Sequence, residues 1–207
     1  ETLIGFTTSS DNSSNSSDNS SSSGSGVFLG VGRSGKIVRS MDNGSSWDNV
    51  TSVDSTALRG IAFGNNTFLG VGQSGKILRS TDNGLTFSAV TSVDSTALSG
   101  VAFGNNTFVA VGSSGKIIRS TDNGSSWDNV TSVDSTGLKG IAFGNNTFVG
   151  VGSSGKIVRS TDNGSSFTAV TPVNSNPYYD HYGVTFGNNT FVGVGASGSG
   201  SDWTDPG

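Results

Sequence analysis

The chain has 207 residues, 32 of them glycine, with 31% hydrophobic and 13% charged residues, and 11 Lys and Arg against 15 Asp and Glu leave a net charge of -4. That balance excludes a general nucleic-acid binder, which needs a basic face to displace counterions. The absence of cysteine excludes disulfide staples, thiol catalysis and Cys-ligated metals, the single histidine, His181, excludes a multi-His metal centre, and no run approaches the ~20 apolar residues of a membrane span. The chain begins at Glu1 and its one methionine is Met41, so processing of a longer precursor is expected.

Taken in chain order, Leu3-Ile4-Gly5-Phe6-Thr7 reads as a strand with the same pattern as Leu58-Arg59-Gly60-Ile61-Ala62. Residues 9–26 form a Ser/Asn/Asp tract with no side chain to bury, which is expected to be a flexible linker. From Val27 a unit of about 40 residues repeats. Its AFGNNTF block stands at Ala62, Ala102 and Ala142 and returns as TFGNNTF at Thr185, so the spacing is 40, 40 and then 43. A period of this size belongs to propellers, solenoids or arrays.

Within one unit the predicted strands are Leu58 to Phe63, Thr67 to Gly72, Lys76 to Ser80 and Leu85 to Val90. The turns between them, Gly64-Asn65-Asn66, Gln73-Ser74-Gly75 and Thr81-Asp82-Asn83-Gly84, are too short for anything except antiparallel neighbours. Each unit is therefore a four-stranded meander. The reading is an all-β, five-bladed β-propeller of about 40-residue four-stranded antiparallel blades with the fifth blade incomplete: two good strands, a degenerate third at Ser199 to Trp203 and no fourth. Residues 1–8 supply an N-terminal strand, either of the first blade or donated elsewhere, 9–26 the linker, and 27–207 the propeller.

The turns SMDNGSSW, STDNGLTF, STDNGSSW and STDNGSSF, beginning at Ser40, Ser80, Ser120 and Ser160, resemble the Asp-box of sialidases and related propellers. The wider unit, LxGIAF followed by FxGVGxSGKIxRSTDNG, is similar to blades of the photosystem-assembly-factor type. What this resemblance implies is a structural turn at the blade periphery carrying no catalytic residue. The residues concerned are Asp42, Gly44 and Trp47; Asp82, Gly84 and Phe87; Asp122, Gly124 and Trp127; and Asp162, Gly164 and Phe167. Chemically, the Asp accepts hydrogen bonds from the turn, the Gly permits a conformation that a Cβ obstructs, and the ring buries beneath the turn.

Enzymatic function is not expected, nor is a cofactor or metal. Glycoside hydrolysis needs paired, unrepeated carboxylates, and the chain's one glutamate is Glu1. The single aperiodic segment holds Tyr178, Tyr179, Asp180, His181 and Tyr182. It reads either as an inter-blade loop or interface, or as a sugar-stacking site in which Asp180 and His181 share a proton or metal. Sequons at Asn12, Asn15, Asn19, Asn65, Asn105, Asn145 and Asn188 are candidate glycosylation sites and agree with a secreted or cell-surface location.

An incomplete last blade leaves an open edge, and open edges pair. Leu3, Ile4 and Phe6 are the candidate assembly strand. The expectation is an extracellular structural or adhesive propeller that polymerises with copies of itself into filaments by strand exchange. A lectin-like module that binds glycans is the alternative.

Overall fold

The computed structural model describes residues 3–8, 26–171 and 179–197. The predicted third strand of the last unit, Ser199 to Trp203, and most of the linker lie outside them. β1 (Leu3–Thr8), β2 (Phe28–Gly32), β3 (Ile37–Ser40) and β4 (Asp48–Val50) form the first sheet in that order. β5 (Leu58–Gly64), β6 (Thr67–Gly72), β7 (Ile77–Ser80) and β8 (Ser88–Val90) form the second. The third contains β9 (Leu98–Gly104), β10 (Thr107–Gly112), β11 (Ile117–Ser120) and β12 (Asp128–Val130), and the fourth β13 (Leu138–Gly144), β14 (Thr147–Gly152), β15 (Ile157–Ser160) and β16 (Thr168–Val170). β17 (Tyr179–Gly187) and β18 (Thr190–Ser197) make a two-stranded fifth sheet. Every pairing is antiparallel, as the short turns demand.

Both asparagines of each GNN turn sit in the left-handed region, Asn65 at φ 47 and Asn66 at φ 54, a conformation Asn tolerates better than other side chains. The fourth strand is shorter than its sequence pattern suggests: β8 starts at Ser88 because Thr86 bonds back to Asp82 and Leu85 is exposed. β1 pairs with β2 of its own chain. Its register, Leu3 opposite Gly32 and Gly5 opposite Val31, repeats that of Leu58 opposite Gly72 and Gly60 opposite Val71, so Leu3–Thr8 takes the inner-strand position of the first sheet.

The core lies between sheets. One cluster joins Leu29, Val31 and Ile37 of the first sheet to Leu58, Ile61, Phe68 and Leu78 of the second. The next joins Leu69, Val71 and Ile77 to Val101, Phe108 and Trp127, and the third joins Val109, Val111 and Ile117 to Ile141, Phe148 and Phe167. Each sheet thus has a leading face that meets the following sheet and a trailing face that meets the preceding one. The innermost strands β1, β5, β9, β13 and β17 pack side by side in succession, while among the described residues no contact of similar extent joins β17 back to β1.

Glycines on the inner strands allow this close approach. A Cβ on Gly60 meets the Cα of Gly100 at 3.1 Å, and one on Gly140 meets the Cα of Gly183 at 3.1 Å. At the end of each inner strand a phenylalanine ring from the following sheet fills the space of the missing side chain. A Cβ on Gly64 falls 2.1 Å from the Phe103 ring, one on Gly104 2.1 Å from Phe143, and one on Gly144 2.1 Å from Phe186. At the equivalent Gly187 no described residue lies within 4 Å. Gly104→Ala is therefore expected to lower stability by about 1–3 kcal/mol through overpacking. Gly187→Ala leaves the urea midpoint unchanged, and equal effects at the two positions contradict the packing described.

Candidate functional site

The four S-x-D-x-G turns share one hydrogen-bond pattern. Ser40 Oγ donates to Asp42 and accepts from Gly44 N–H at 2.9 Å, while Asp42 accepts from the Ser46 amide at 2.9 Å and the Ser46 hydroxyl at 2.6 Å. Asp82, Asp122 and Asp162 are held in the same way by Thr86, Ser126 and Ser166. These bonds favour the ionised carboxyl. The Ser46 hydroxyl, with the Ser46 amide and Ser40 behind it, lowers Asp42 to about 2, and the Ser166 and Ser160 hydroxyls do the same for Asp162. At Asp82 and Asp122 burial opposes the ionised form, and the hydrogen bonds from residues 86 and 126 outweigh it.

The turns also clamp one sheet to the next. Arg39 Nε donates to the carbonyl of Asn83 at 2.9 Å, Arg79 to that of Asn123 at 2.9 Å and Arg119 to that of Asn163 at 2.8 Å. The Asn123 amide reaches back to the Asn65 carbonyl and the Thr67 hydroxyl at 3.2 and 2.6 Å, and Asn163 does the same to Asn105 and Thr107. Gly124 and Gly164 lie directly over Leu69 and Val109 of the preceding sheet, as Gly84 does over Leu29. The Trp127 and Phe167 rings are buried between sheets rather than only beneath their own turns; Phe87 is half-buried, and Trp47, in the first described sheet, is 40% exposed.

At the opposite end of the inner strands Lys76, Lys116 and Lys156 pair with Asp54, Asp94 and Asp134 of the preceding loop. Each of these aspartates also accepts an Asx-turn bond, from Thr56, Thr96 and Thr136 at 2.8 Å. The aperiodic segment departs from this scheme. Tyr179, Asp180, His181 and Tyr182 belong to β17, while Tyr178 lies outside the described residues. Lys139 binds Asp180 at 2.5 Å and lies 4.1 Å from the centre of the Tyr182 ring; Ser154 N–H donates to the other Asp180 oxygen at 3.0 Å. The Lys139 hydrogen bond, then that of Ser154, lowers the Asp180 pKa. Both Asp180 oxygens are thus engaged, and His181 Nδ1 is buried without a partner among the described residues. That geometry builds an inter-sheet clasp rather than a shared proton between Asp180 and His181, and no group of three metal-ligating side chains occurs among the described residues.

Asn65, Asn105, Asn145 and Asn188 are exposed on the GNN turns, where the Asn65 and Asn105 amides donate to Asn106 and Asn146 of the following sheet. Asn12, Asn15 and Asn19 lie outside the described residues.

The two ends of the array are apolar. On the trailing face of the first sheet Phe6 is 60% exposed and its ring sits edge-on to Trp47 with centroids 6.1 Å apart; Met41 is exposed too. On the leading face of the fifth sheet Val192 and Val194 are 51% and 62% exposed, whereas their equivalents Leu69 and Val71 are fully buried. Sequence reasoning singled out Leu3, Ile4 and Phe6 but missed Val192, Val194 and Gly187, which look like ordinary repeat positions in the sequence and stand out only by their exposure.

No protein-family model matches the chain, and no curated protein matches it. Among solved structures it resembles YCF48 bound to D1 peptide, at 18% identity and TM-score 0.62 over 79% of this chain and 54% of that one. YCF48 from Cyanidioschyzon merolae matches at 16% identity and TM-score 0.61 over 90% of this chain and 60% of that one. An ancestral GH74 enzyme matches at 20% identity and TM-score 0.68, over 83% of this chain and 26% of the enzyme. The chain therefore spans between a quarter and three fifths of the length of these structures. With its meander sheets in succession around their inner strands, it is an all-β protein of the β-propeller class.

A pH dependence follows from the turns. Asp42 and Asp162 titrate at about 2 in the folded chain against an ordinary 3.8, so their ionised forms favour folding above pH ~4 and that contribution disappears as pH falls toward about 2. The thermal midpoint is expected to be flat from pH 7 to about 5 and to fall between about 4 and 2; a midpoint constant down to pH 2 contradicts the turn geometry.

Proposed function

We propose that the chain is a non-enzymatic, extracellular structural or adhesive propeller built on Asp-box turns, and that its partners are further copies of itself. The observation that carries this reading is the pair of open apolar ends, Phe6 and Trp47 on one and Val192 and Val194 on the other. Terminal units of a repeat array stay soluble by presenting a polar outer face, and these do the opposite. The two ends are different surfaces, so their association is head to tail and repeats as an open filament unless the rotation closes it. Because β1 is already paired along its length with β2, stacked faces support this assembly better than a donated strand.

The absence of enzymatic activity is supported by where the charged side chains go. Arg39, Arg79 and Arg119 serve inter-sheet hydrogen bonds, and the aspartates of the turns and loops are bonded within the fold. The lectin-like alternative is less well supported, because Lys76, Lys116 and Lys156 are tied to aspartates rather than directed at a ligand. An extracellular location rests on the exposed sequon asparagines. In sedimentation velocity the chain is expected to rise above 20.9 kDa with concentration, and Phe6→Lys or Val194→Lys to return it to monomer. Unchanged assembly in both variants removes the open ends from the account.

A further inference from the structure

The two ends are more than sticky: they are the separated halves of the contact that the chain makes between each pair of its own sheets. We infer that copies join in the internal register, with the first sheet of one copy following the fifth sheet of the next as β5 follows β1. This rests on the self-association proposed above and specifies its partner surface as a second copy of this chain.

Three half-made contacts carry the register. The Asn123 and Asn163 amides each bond the GNN carbonyl and the following threonine hydroxyl of the preceding sheet. Asn43, their equivalent in the first sheet, is exposed and its amide has no partner among the described residues. At the far end the Asn188 carbonyl accepts, among the described residues, the Thr190 hydroxyl at 3.3 Å, and the same carbonyl–hydroxyl pair is what Asn123 and Asn163 grip elsewhere. Second, Gly84, Gly124 and Gly164 each cover a Leu or Val of the sheet before, whereas Gly44 meets, among the described residues, its own Trp47 at 3.8 Å and the matching Val192 is 51% exposed. Third, no described residue fills the Gly187 socket, where Gly64, Gly104 and Gly144 each hold a phenylalanine ring. In the register proposed, the residue delivered to Gly187 is Thr8, which stands where Phe63, Phe103 and Phe143 stand in the other sheets.

That mismatch makes the register testable by a gain of association. Thr8 is exposed and Gly187 has open space, so both accept substitution without disturbing the isolated chain. Thr8→Phe supplies the missing ring and is expected to lower the concentration of half-association about tenfold, the worth of a buried aromatic side chain. Gly187→Val fills the socket and cancels that gain in the double variant. Asn43→Asp, which keeps the left-handed turn but loses the amide donor, is expected to weaken association several-fold. Mass photometry of the full chain and these variants across concentration reads all three effects.

If the unmodified chain associates but Thr8→Phe brings no gain, the register is overturned while self-association stands. If neither form associates at any concentration, both fall. If Thr8→Phe stays monomeric and instead raises the melting temperature, with Gly187→Val reversing it, the ends meet within one chain and the second copy is ruled out.

Discussion

The fold depends on how closely one inner strand can lie against the next. Glycines at 60, 100 and 140 remove the side chain that would hold the strands apart, and the rings of Phe103, Phe143 and Phe186 occupy space that any Cβ at the preceding glycine would fill. A sheet of this composition is weak by itself, since glycine in a strand contributes no packing and loses much backbone freedom on ordering. Its stabilisation comes from the neighbouring sheet, so the structural unit is an interface rather than a blade.

Polar groups follow the same logic. The arginines at 39, 79 and 119 and the amides at 123 and 163 bond across sheets, the S-x-D-x-G turns hold the groups that receive and make those bonds, and the lysines at 76, 116 and 156 tie each sheet to the loop that leads into it. Where the following turn is not described, the pattern changes visibly: Arg159 is exposed and its side chain has no partner among the described residues, although Arg39 is buried. A residue type repeated every 40 positions is thus explained by contacts to the next repeat, which leaves few charged groups for chemistry.

Much of the fold was legible because turn chemistry and strand patterning repeat. The GNN turns, the meander order and the equivalence of Leu3 with Leu58 follow from residue identity and spacing alone. The direction of contacts between sheets was not legible, because Gly64 and Phe103 are 39 positions apart and neither reveals a partner by its local pattern. For the same reason the aperiodic tyrosine segment reads as a loop in sequence, whereas Asp180 stands in β17 of the fifth sheet and is tied to Lys139 and Ser154 of the preceding sheet. The ends escaped notice since Val192 and Gly187 are ordinary members of the repeat, made distinctive only by their exposure among the described residues.

An array built from one directional interface presents two unlike end faces. Terminal polar caps are the usual protection for repeat arrays. Phe6, Trp47, Val192 and Val194 provide none. Electron cryomicroscopy of the purified chain at rising concentration is the most direct measurement. The account predicts particles in which sheets succeed one another at an unbroken spacing across the junction between copies. A monodisperse 20.9 kDa particle at every concentration, or copies joined through their outer strands, contradicts it.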